Sequence, residues 1–265
     1  MFAADDPPPY RVRRAEGTSP YVLVCEHAGN RIPKGMANLG LGAGDLSRHI
    51  AWDIGAEAVA RRVSEFLDAT LVSQPYSRLV VDCNRWANDP EIVPMKSDGT
   101  AITGNVGLSA GDVVKRIDAI HGPFHECLDG ELERRKQSGR QKALVTIHSF
   151  TPEISGVKRP WHAGVINNRE NRLAESLIDL FAREDGLVVG DNEPFSMSDN
   201  NVYTVPSHGE GRGIPTVELE IRQDLIDDEK GQDYWARLLG RVLKQALETL
   251  DMRRAQHHLS AGSLA

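Results

Sequence analysis

The sequence predicts a single α/β domain, built on a mixed, mostly parallel central sheet with helices on both faces. Short apolar runs alternate along the chain with longer segments in which apolar residues recur every three or four positions. Alternation of this kind is typical of parallel sheets covered by helices. A length of 265 residues is ordinary for one such domain and allows it to bury a large core.

Local patterns predict the elements in order. Apolar runs of strand length predict strands at 21–25, 69–73, 79–81, 144–147, 163–166, 187–189 and 216–222. Helical spacing predicts helices over residues 45–67, 112–137 and 172–184, the second interrupted near Gly122-Pro123 because proline cannot donate to the preceding turn. The segment 87–109, rich in Pro, Gly, Asp and Asn, predicts a long loop. An N-terminal arm over residues 1–18 and a tail over 254–265 are expected to be flexible.

Composition and charge exclude several classes of protein. The net charge is −7 and the basic residues are scattered, which argues against a nucleic-acid partner. No apolar run reaches the roughly 18 residues that a bilayer span needs, so no membrane partner is expected. Residues 1–9 are acidic and proline-rich, unlike a signal peptide, so we expect a cytoplasmic protein. We expect it to be a monomer or a small homo-oligomer. Cys25, Cys83 and Cys127 lack the spacing of a disulfide framework or a cysteine zinc site.

The most informative segment is the acidic strand 216–222. Because side chains alternate across a strand, Glu218, Glu220 and Arg222 share one face, and the apolar residues between them take the other. On periodicity alone, a solvated edge strand explains this pattern equally well. The polar residues elsewhere in the chain favour a functional face.

Polar residues follow three other predicted strands. His27 lies just past the first strand, Asp82, Asn84 and Arg85 lie past another, and His148 and Ser149 lie past a third. In open α/β sheets, binding sites form beyond the carboxyl ends of the strands. We therefore expect these residues to share one rim of the sheet.

Two histidines, a carboxylate and a water molecule are the usual ligands of a catalytic zinc ion. His27 and His148 are the candidate histidines, with Asp53 or Glu26 as the acidic ligand. Asp53 is preferred because it lies in an otherwise apolar helical segment, where a charge needs a partner, whereas Glu26 should point away from His27. Glu220 or Glu218 would be the base that takes a proton from the metal-activated water.

A second histidine pair and a glycine-flanked histidine need separate interpretation. His121 and His125 are four residues apart, but Gly122 replaces the glutamate of the HExxH metal motif and Pro123 disturbs the turn. We expect His125 to line a pocket or to join a hydrogen-bond network. Glycines flank His208, which predicts either a mobile loop placing Tyr203 or His208 near substrate, or an ordinary surface loop.

Five blocks of sequence, in the same order, resemble the N-formylglutamate amidohydrolase family, which is similar in turn to zinc carboxypeptidases and to the aspartoacylase group. The resemblance covers residues 21–224. The blocks are Val24 to Asn30 (VCEHAGN), Trp52 to Ala56 (WDIGA), Ser77 to Arg85 (SRLVVDCNR), Ile147 to Phe150 (IHSF) and Val217 to Arg222 (VELEIR). Carboxypeptidases take their acidic ligand from an H-x-x-E motif, but Asn30 stands at that position here. The resemblance therefore favours Asp53 as the acidic ligand.

The resemblance implies a zinc carboxypeptidase-like fold and hydrolysis of an N-acyl amino acid, with N-formyl-L-glutamate giving formate and L-glutamate. His27, Asp53 and His148 would hold zinc or another divalent metal. Glu220, or alternatively Glu218, would activate water. Arg85 would bind a substrate carboxylate, which Asn84 would help to orient. Arg78 and Arg159 would bind either a second substrate carboxylate or the developing oxyanion. A deacylase or peptidase for another substrate and a non-catalytic binding protein are the alternatives.

Overall fold

The structure is a computed structural model that describes residues 2–140 and 143–262, the last ten of them by backbone alone. The strands are β1 (Arg11–Arg13), β2 (Tyr21–Cys25), β3 (Thr70–Ser73), β4 (Lys96–Ser97), β5 (Thr100–Ala101), β6 (Ala143–Phe150), β7 (Glu153–Ile154), β8 (Val157–Lys158), β9 (Ala163–Ile166), β10 (Val189–Asp191) and β11 (Thr216–Arg222). The α-helices are α1 (Ala43–Leu46), α2 (Ala56–Leu67), α3 (Ala110–Arg116), α4 (Gly122–Gln137), α5 (Arg172–Phe181) and α6 (Glu229–Gly262).

Seven strands form the central sheet, in the order β1-β3-β2-β6-β11-β9-β10. The four central strands, β3, β2, β6 and β11, are parallel to one another. At one edge β1 is antiparallel to β3, and at the other β9 and β10 run antiparallel to β11. The predicted mixed, mostly parallel sheet is confirmed.

The two faces of the sheet bury different helices. One apolar cluster joins the sheet to α2, α5 and α6, and the other joins it to α4. Val217, Leu219 and Ile221 of β11 face the first cluster. Glu218 and Glu220 therefore point to the α4 face, where they lie beside Thr146 and His148 of β6 in the strand register. β11 is a central strand, so the alternative of a solvated edge strand is wrong.

Several predicted elements differ from the structure in their bounds. The helix predicted over residues 45–67 divides into α1 and α2, and Asp53 lies in the turn between them. Residues 79–81 are not a strand but a buried turn, apolar because they pack against the α4 face. The helix over residues 112–137 is interrupted as predicted, by a π-helical turn at Ile117–His121. His148 lies within β6, not beyond its end.

The two chain ends are more regular than expected, and one predicted loop contains structure. Residues 11–13 of the N-terminal arm form β1 in the sheet. Most of the predicted tail continues helix α6 as far as residue 262, and residues 263–265 lie outside the described part. The β4–β5 hairpin lies inside the predicted loop 87–109.

Gly55, directly before α2, has a backbone conformation that only glycine adopts easily. Its φ is +79°, and a Cβ atom there would lie 2.2 Å from the carbonyl oxygen of Ile226. We expect Gly55→Ala to lower the free energy of unfolding by about 2–4 kcal/mol, because it adds backbone strain to a steric clash. Denaturant unfolding measures the change. Gly44→Ala is the control, since no atom lies within 4 Å of its added Cβ; an equal loss there would contradict this account.

Candidate metal centre and active site

Five carboxylate side chains are buried among the residues that the structure describes, and all five lie in one cluster with two histidines. The members are Glu26, Asp53, Asp82, Glu218, Glu220, His27 and His148. They come from the end of β2, the turn before α2, a buried loop, β6 and β11. Burying so many like charges is costly unless cations or protons offset them.

His148 lies at the centre of this cluster. Its Nδ1 atom is 2.8 Å from Asp53 Oδ2, and its Nε2 atom is 2.9 Å from Glu26 Oε2. Burial would lower the pKa of His148, but the surrounding carboxylates, Glu218 and Glu26 foremost, raise it well above its ordinary value. The same histidine lowers the pKa of Glu26 against the opposite effect of burial. His148 is therefore placed to bind a metal cation together with the surrounding carboxylates.

His27 approaches the same carboxylate from another side. Its Nδ1 atom is 3.4 Å from Asp53 Oδ2, and its Nε2 atom is 2.7 Å from Asp82 Oδ1. The rings of His27 and His148 have their centroids 5.0 Å apart. Both Nδ1 atoms thus converge on one oxygen of Asp53, and this group of three residues could hold a metal ion.

Arg78 holds two of the carboxylates in place. Its Nε and a terminal nitrogen donate to Asp82 Oδ2 at 3.0 and 2.8 Å, and its other terminal nitrogen lies 3.5 Å from Asp53 Oδ1. Burial would raise the pKa of Asp82, but Arg78 and His27 hold it well below its ordinary value. Asp82 therefore stays ionised and fixes His27 in the manner of a carboxylate behind a metal-binding histidine.

The cluster also contains buried polar atoms without a partner, which a nearby cation would offset. Both carboxylate oxygens of Glu26, Nε2 of His148 and Oε2 of Glu220 are buried without a hydrogen-bond partner. The close approach of Glu26 to His148 is an ion-pair contact without hydrogen-bond geometry. Imidazole nitrogens and carboxylate oxygens are also the ligand types of catalytic zinc sites.

Asp53 and Glu26, the two candidate acidic ligands, lie at different depths. Asp53 lines a cavity of about 490 Å³ together with His27 and His148, whereas Glu26 lies beneath His148 and has no exposed surface. From the sequence, Glu26 was expected to point away from His27. This prediction is wrong, because Glu26 faces the site. It contacts the far nitrogen of His148 because that histidine, inside β6, faces the same side of the sheet.

The two carboxylates of β11 differ in their surroundings. Glu218 accepts a hydrogen bond from the Asn84 side chain at 3.0 Å, and its Oε2 atom also lies 3.4 Å from Thr146 Oγ1. Glu220 lines the cavity and has an unpartnered oxygen, and burial raises its pKa well above its ordinary value. Burial also raises the pKa of Glu218. Of these two carboxylates, Glu220 is the one with an unpartnered oxygen.

Nine of the eleven residues predicted for the site line this one cavity: His27, Asp53, Arg78, Asn84, Arg85, His148, Arg159, Glu218 and Glu220. Arg85 donates to Asp89 at 2.8 Å. Asn84 uses its amide group to bind Glu218, and its side-chain oxygen accepts from the backbone N–H of Thr204 at 3.1 Å. Both residues thus line the cavity and also bind other residues of the protein.

Tyr203 and His208 lie outside the residues that line the cavity. His208 is not on an exposed loop but is buried in a π-helical turn, Val205–Gly209, where it contacts His125. The prediction of a mobile loop is therefore wrong. Gly209 instead allows this turn to pack closely, since a Cβ atom there would lie 2.5 Å from Thr216 Oγ1. His125 does join a hydrogen-bond network, as expected.

The sequence model of the N-formylglutamate amidohydrolase family matches residues 19–227, which is most of the chain. The chain belongs to the N-formylglutamate amidohydrolase family. This membership confirms the resemblance carried by the five sequence blocks, and it makes the protein a hydrolase of amide bonds. Among curated proteins there is no significant match.

Solved structures agree with the fold of this family member. A gene product of Agrobacterium tumefaciens is 38% identical, with a TM-score of 0.91 over 94% of this chain and 99% of that one. The N-formylglutamate amidohydrolase of Ralstonia eutropha JMP134 is 20% identical, with a TM-score of 0.64 over 93% of this chain and 99% of that one. The second likeness shows a common fold. None of the described helices combines the length and apolar character needed to cross a bilayer.

Proposed function

We propose that the protein is a zinc-dependent amidohydrolase that cleaves N-formyl-L-glutamate to formate and L-glutamate. The observation that carries the proposal is the convergence of His27, Asp53 and His148 at the floor of a cavity that Glu220 also lines. Family membership supports the reaction class, and the family's name supports the substrate.

His27 and His148, through the nitrogens that face Asp53, and Asp53 itself would hold the zinc ion. When bound there, zinc would polarise the acyl carbonyl and acidify a water molecule. Glu26 and Asp82 orient the two histidines from their other nitrogens. Arg78 keeps Asp82 ionised and holds both Asp82 and Asp53 in position.

Glu220 is the proposed general base, with Glu218 as the alternative. A carboxylate in this position takes a proton from the attacking water and passes it to the leaving amine of glutamate. The raised pKa of Glu220 suits this double role, since a carboxylate with an ordinary pKa is a weak base at neutral pH. Asn84 keeps Glu218 beside it in a fixed orientation.

Arg159 is the proposed partner for a substrate carboxylate. Of the three arginines that line the cavity, Arg78 and Arg85 are paired with aspartates. Arg159 has no carboxylate within ion-pair distance in the described part of the chain; its guanidinium lies over the Phe150 ring and 3.4 Å from the carbonyl oxygen of Thr151. A guanidinium without a protein anion is suited to bind a carboxylate bidentately.

We expect Arg159→Gln to raise KM for N-formylglutamate by about 10- to 100-fold, since a hydrogen bond to a charged group contributes about 1.5–3 kcal/mol. The change in kcat should be smaller, because Arg159 does not contact the residues assigned to the metal. Steady-state formate release measures both constants. Arg61→Gln, on the surface of α2, is the matched control. An unchanged KM in Arg159→Gln would assign substrate binding to another residue.

The proposal is tested with purified protein that has been saturated with zinc and freed of excess metal. Formate and free amino acid are then measured over a panel of N-acyl amino acids that varies the acyl group and the side chain separately. We expect N-formylglutamate to be the best substrate. Faster release of a different acid would assign the protein to another deacylase activity, and no release from any member would contradict the enzyme proposal.

A further inference from the structure

A second group of buried histidines lies behind the proposed catalytic cavity. Nδ1 of His125 is 2.9 Å from Nε2 of His208, and Nδ1 of His208 is 2.8 Å from Asp129 Oδ1. At the other end, Nε2 of His125 is 2.8 Å from the carbonyl oxygen of Cys83. The two rings are inclined by 15° with centroids 5.0 Å apart, the spacing of imidazoles joined end to end. These contacts form a continuous chain from Asp129 to Cys83.

The number of protons in this chain follows from its two ends. The Cys83 carbonyl only accepts, so Nε2 of His125 carries a proton. Asp129 is an ionised acceptor, because its hydrogen bond with His208 lowers its pKa, so Nδ1 of His208 carries a proton as well. One more proton must lie between the two rings. Three protons on four ring nitrogens make one of the two histidines a cation.

Of the two histidines, His208 is the one in contact with an anion. Burial lowers the pKa of His125 well below its ordinary value, and His121 adds to this effect. His208 instead contacts the carboxylate of Asp129, which Arg212 also binds. The other aromatic rings in contact with these two histidines are His121, Tyr203 and Phe124, and Phe124 carries no charge. Asp129 is thus the one anion in contact with His208 among the described residues.

The chain ends on the loop that supports the catalytic cavity. Cys83 lies between Asp82, which accepts from His27, and Asn84, which donates to Glu218. His121 binds the carbonyl oxygen of Arg85 at 2.9 Å, so a second histidine holds the same loop. The loop contains no regular strand or helix. Backbone hydrogen bonds hold it at Asp82, to Ile92, and at Asn84, to Tyr203, and the two histidines hold it at Cys83 and Arg85.

We propose that Asp129, His208 and His125 are positioning residues, forming a charged hydrogen-bond chain that holds residues 82–85 in place for catalysis. The inference rests on the proposed amidohydrolase function for its catalytic consequence. Asp129 is half exposed whereas both histidines are buried, so one surface carboxylate controls the protonation of an internal pair. Loss of the shared proton would leave two nitrogen lone pairs facing each other. His125 would relieve this repulsion by moving its proton from Nε2 to Nδ1, which would release the Cys83 carbonyl.

The experiment compares Asp129→Asn with Glu133→Gln, which removes one charge from an exposed position of the same helix. Nitrogen NMR of the histidine rings, in zinc-loaded protein near neutral pH, reports how many ring nitrogens carry protons. We expect an imidazolium spectrum for His208 in the original protein and in Glu133→Gln, and a neutral ring in Asp129→Asn. Metal content and the thermal unfolding midpoint are measured in parallel.

Kinetics provide the second readout. We expect Asp129→Asn to lower kcat/KM for N-formylglutamate by about 10-fold or more, as is usual for residues that orient active-site groups. The alkaline limb of its pH profile should move to lower pH, which a purely structural defect would not cause, and its zinc content should be unchanged. A neutral His208 in the original protein, or an unchanged spectrum and pH profile in Asp129→Asn, would overturn the proposal. If the original protein released no formate, the proposed function would fail, and the NMR comparison would still decide whether the charged chain exists.

Discussion

Glu220→Gln is expected to lower kcat for formate release by about 10²–10⁴-fold while leaving the zinc content of the protein unchanged. Glutamine matches the shape of glutamate but cannot accept a proton from water. Glu220 is not one of the three proposed ligands, His27, Asp53 and His148, so the metal should remain bound. Loss of zinc would instead place the ion in the second group that could hold one, His148, Glu218 and Glu220. Steady-state kinetics and elemental analysis on the same preparation measure the two quantities.

The matched variant is Glu218→Gln, two residues away on the same face of β11. Its hydrogen bond to Asn84 gives Glu218 a structural role, so we expect a smaller loss of kcat, caused by displacement of the loop that carries Asn84. The reverse order, with Glu220→Gln fully active and Glu218→Gln inactive, would make Glu218 the base. Full activity in both variants would exclude the carboxylates of β11 from proton transfer.

His148→Ala is the substitution with the second large expected effect. We expect it to remove both the bound zinc and the activity, because His148 is a proposed zinc ligand. It is also the side chain that Asp53, Glu26 and Glu218 all approach within ion-pair distance. Without it, these carboxylates are buried with no positive partner on that side, which costs about 3–5 kcal/mol for a buried ion pair. Zinc binding by calorimetry and unfolding by denaturant measure the two losses.

His49→Ala is the control for this prediction. His49 also lines the cavity, but its nearest carboxylate is Asp98, at 3.4 Å, and it lies outside the metal-binding group. It should therefore keep its zinc and its stability. A His148→Ala protein that still bound zinc with unchanged affinity would show that the ion is held elsewhere.

The strand pattern of β11 is the part of the site that local sequence predicts best. Alternation alone places Glu218 and Glu220 on one face, and the structure confirms that placement beside His148. The fold class was equally accessible, because apolar runs and helical spacing depend on near neighbours in sequence. Residues 79–81 form a buried turn and not the predicted strand, because a segment is apolar wherever it is buried and periodicity does not distinguish a central strand from a buried turn.

Contacts between distant segments could not be predicted in the same way. Glu26 reaches His148 because β2 and β6 are neighbours in the sheet, a pairing that neither segment specifies by itself. Nothing in the sequence near Asp129 indicates that it binds His208. Asp129 is a half-exposed residue of α4, and the contact forms only because α4 packs against the turn that contains His208. The glycines around His208 indicated mobility, but in the packed structure they permit close approach instead.

Hydrolysis is expected to depend on a metal ion bound by His27, Asp53 and His148. The most direct test is to titrate chelator-treated protein with zinc while measuring formate release from N-formylglutamate. We predict negligible release without metal and a linear rise that ends at about one zinc ion per chain, as expected for a single catalytic site. Undiminished release from protein shown by elemental analysis to be free of metal would contradict the account.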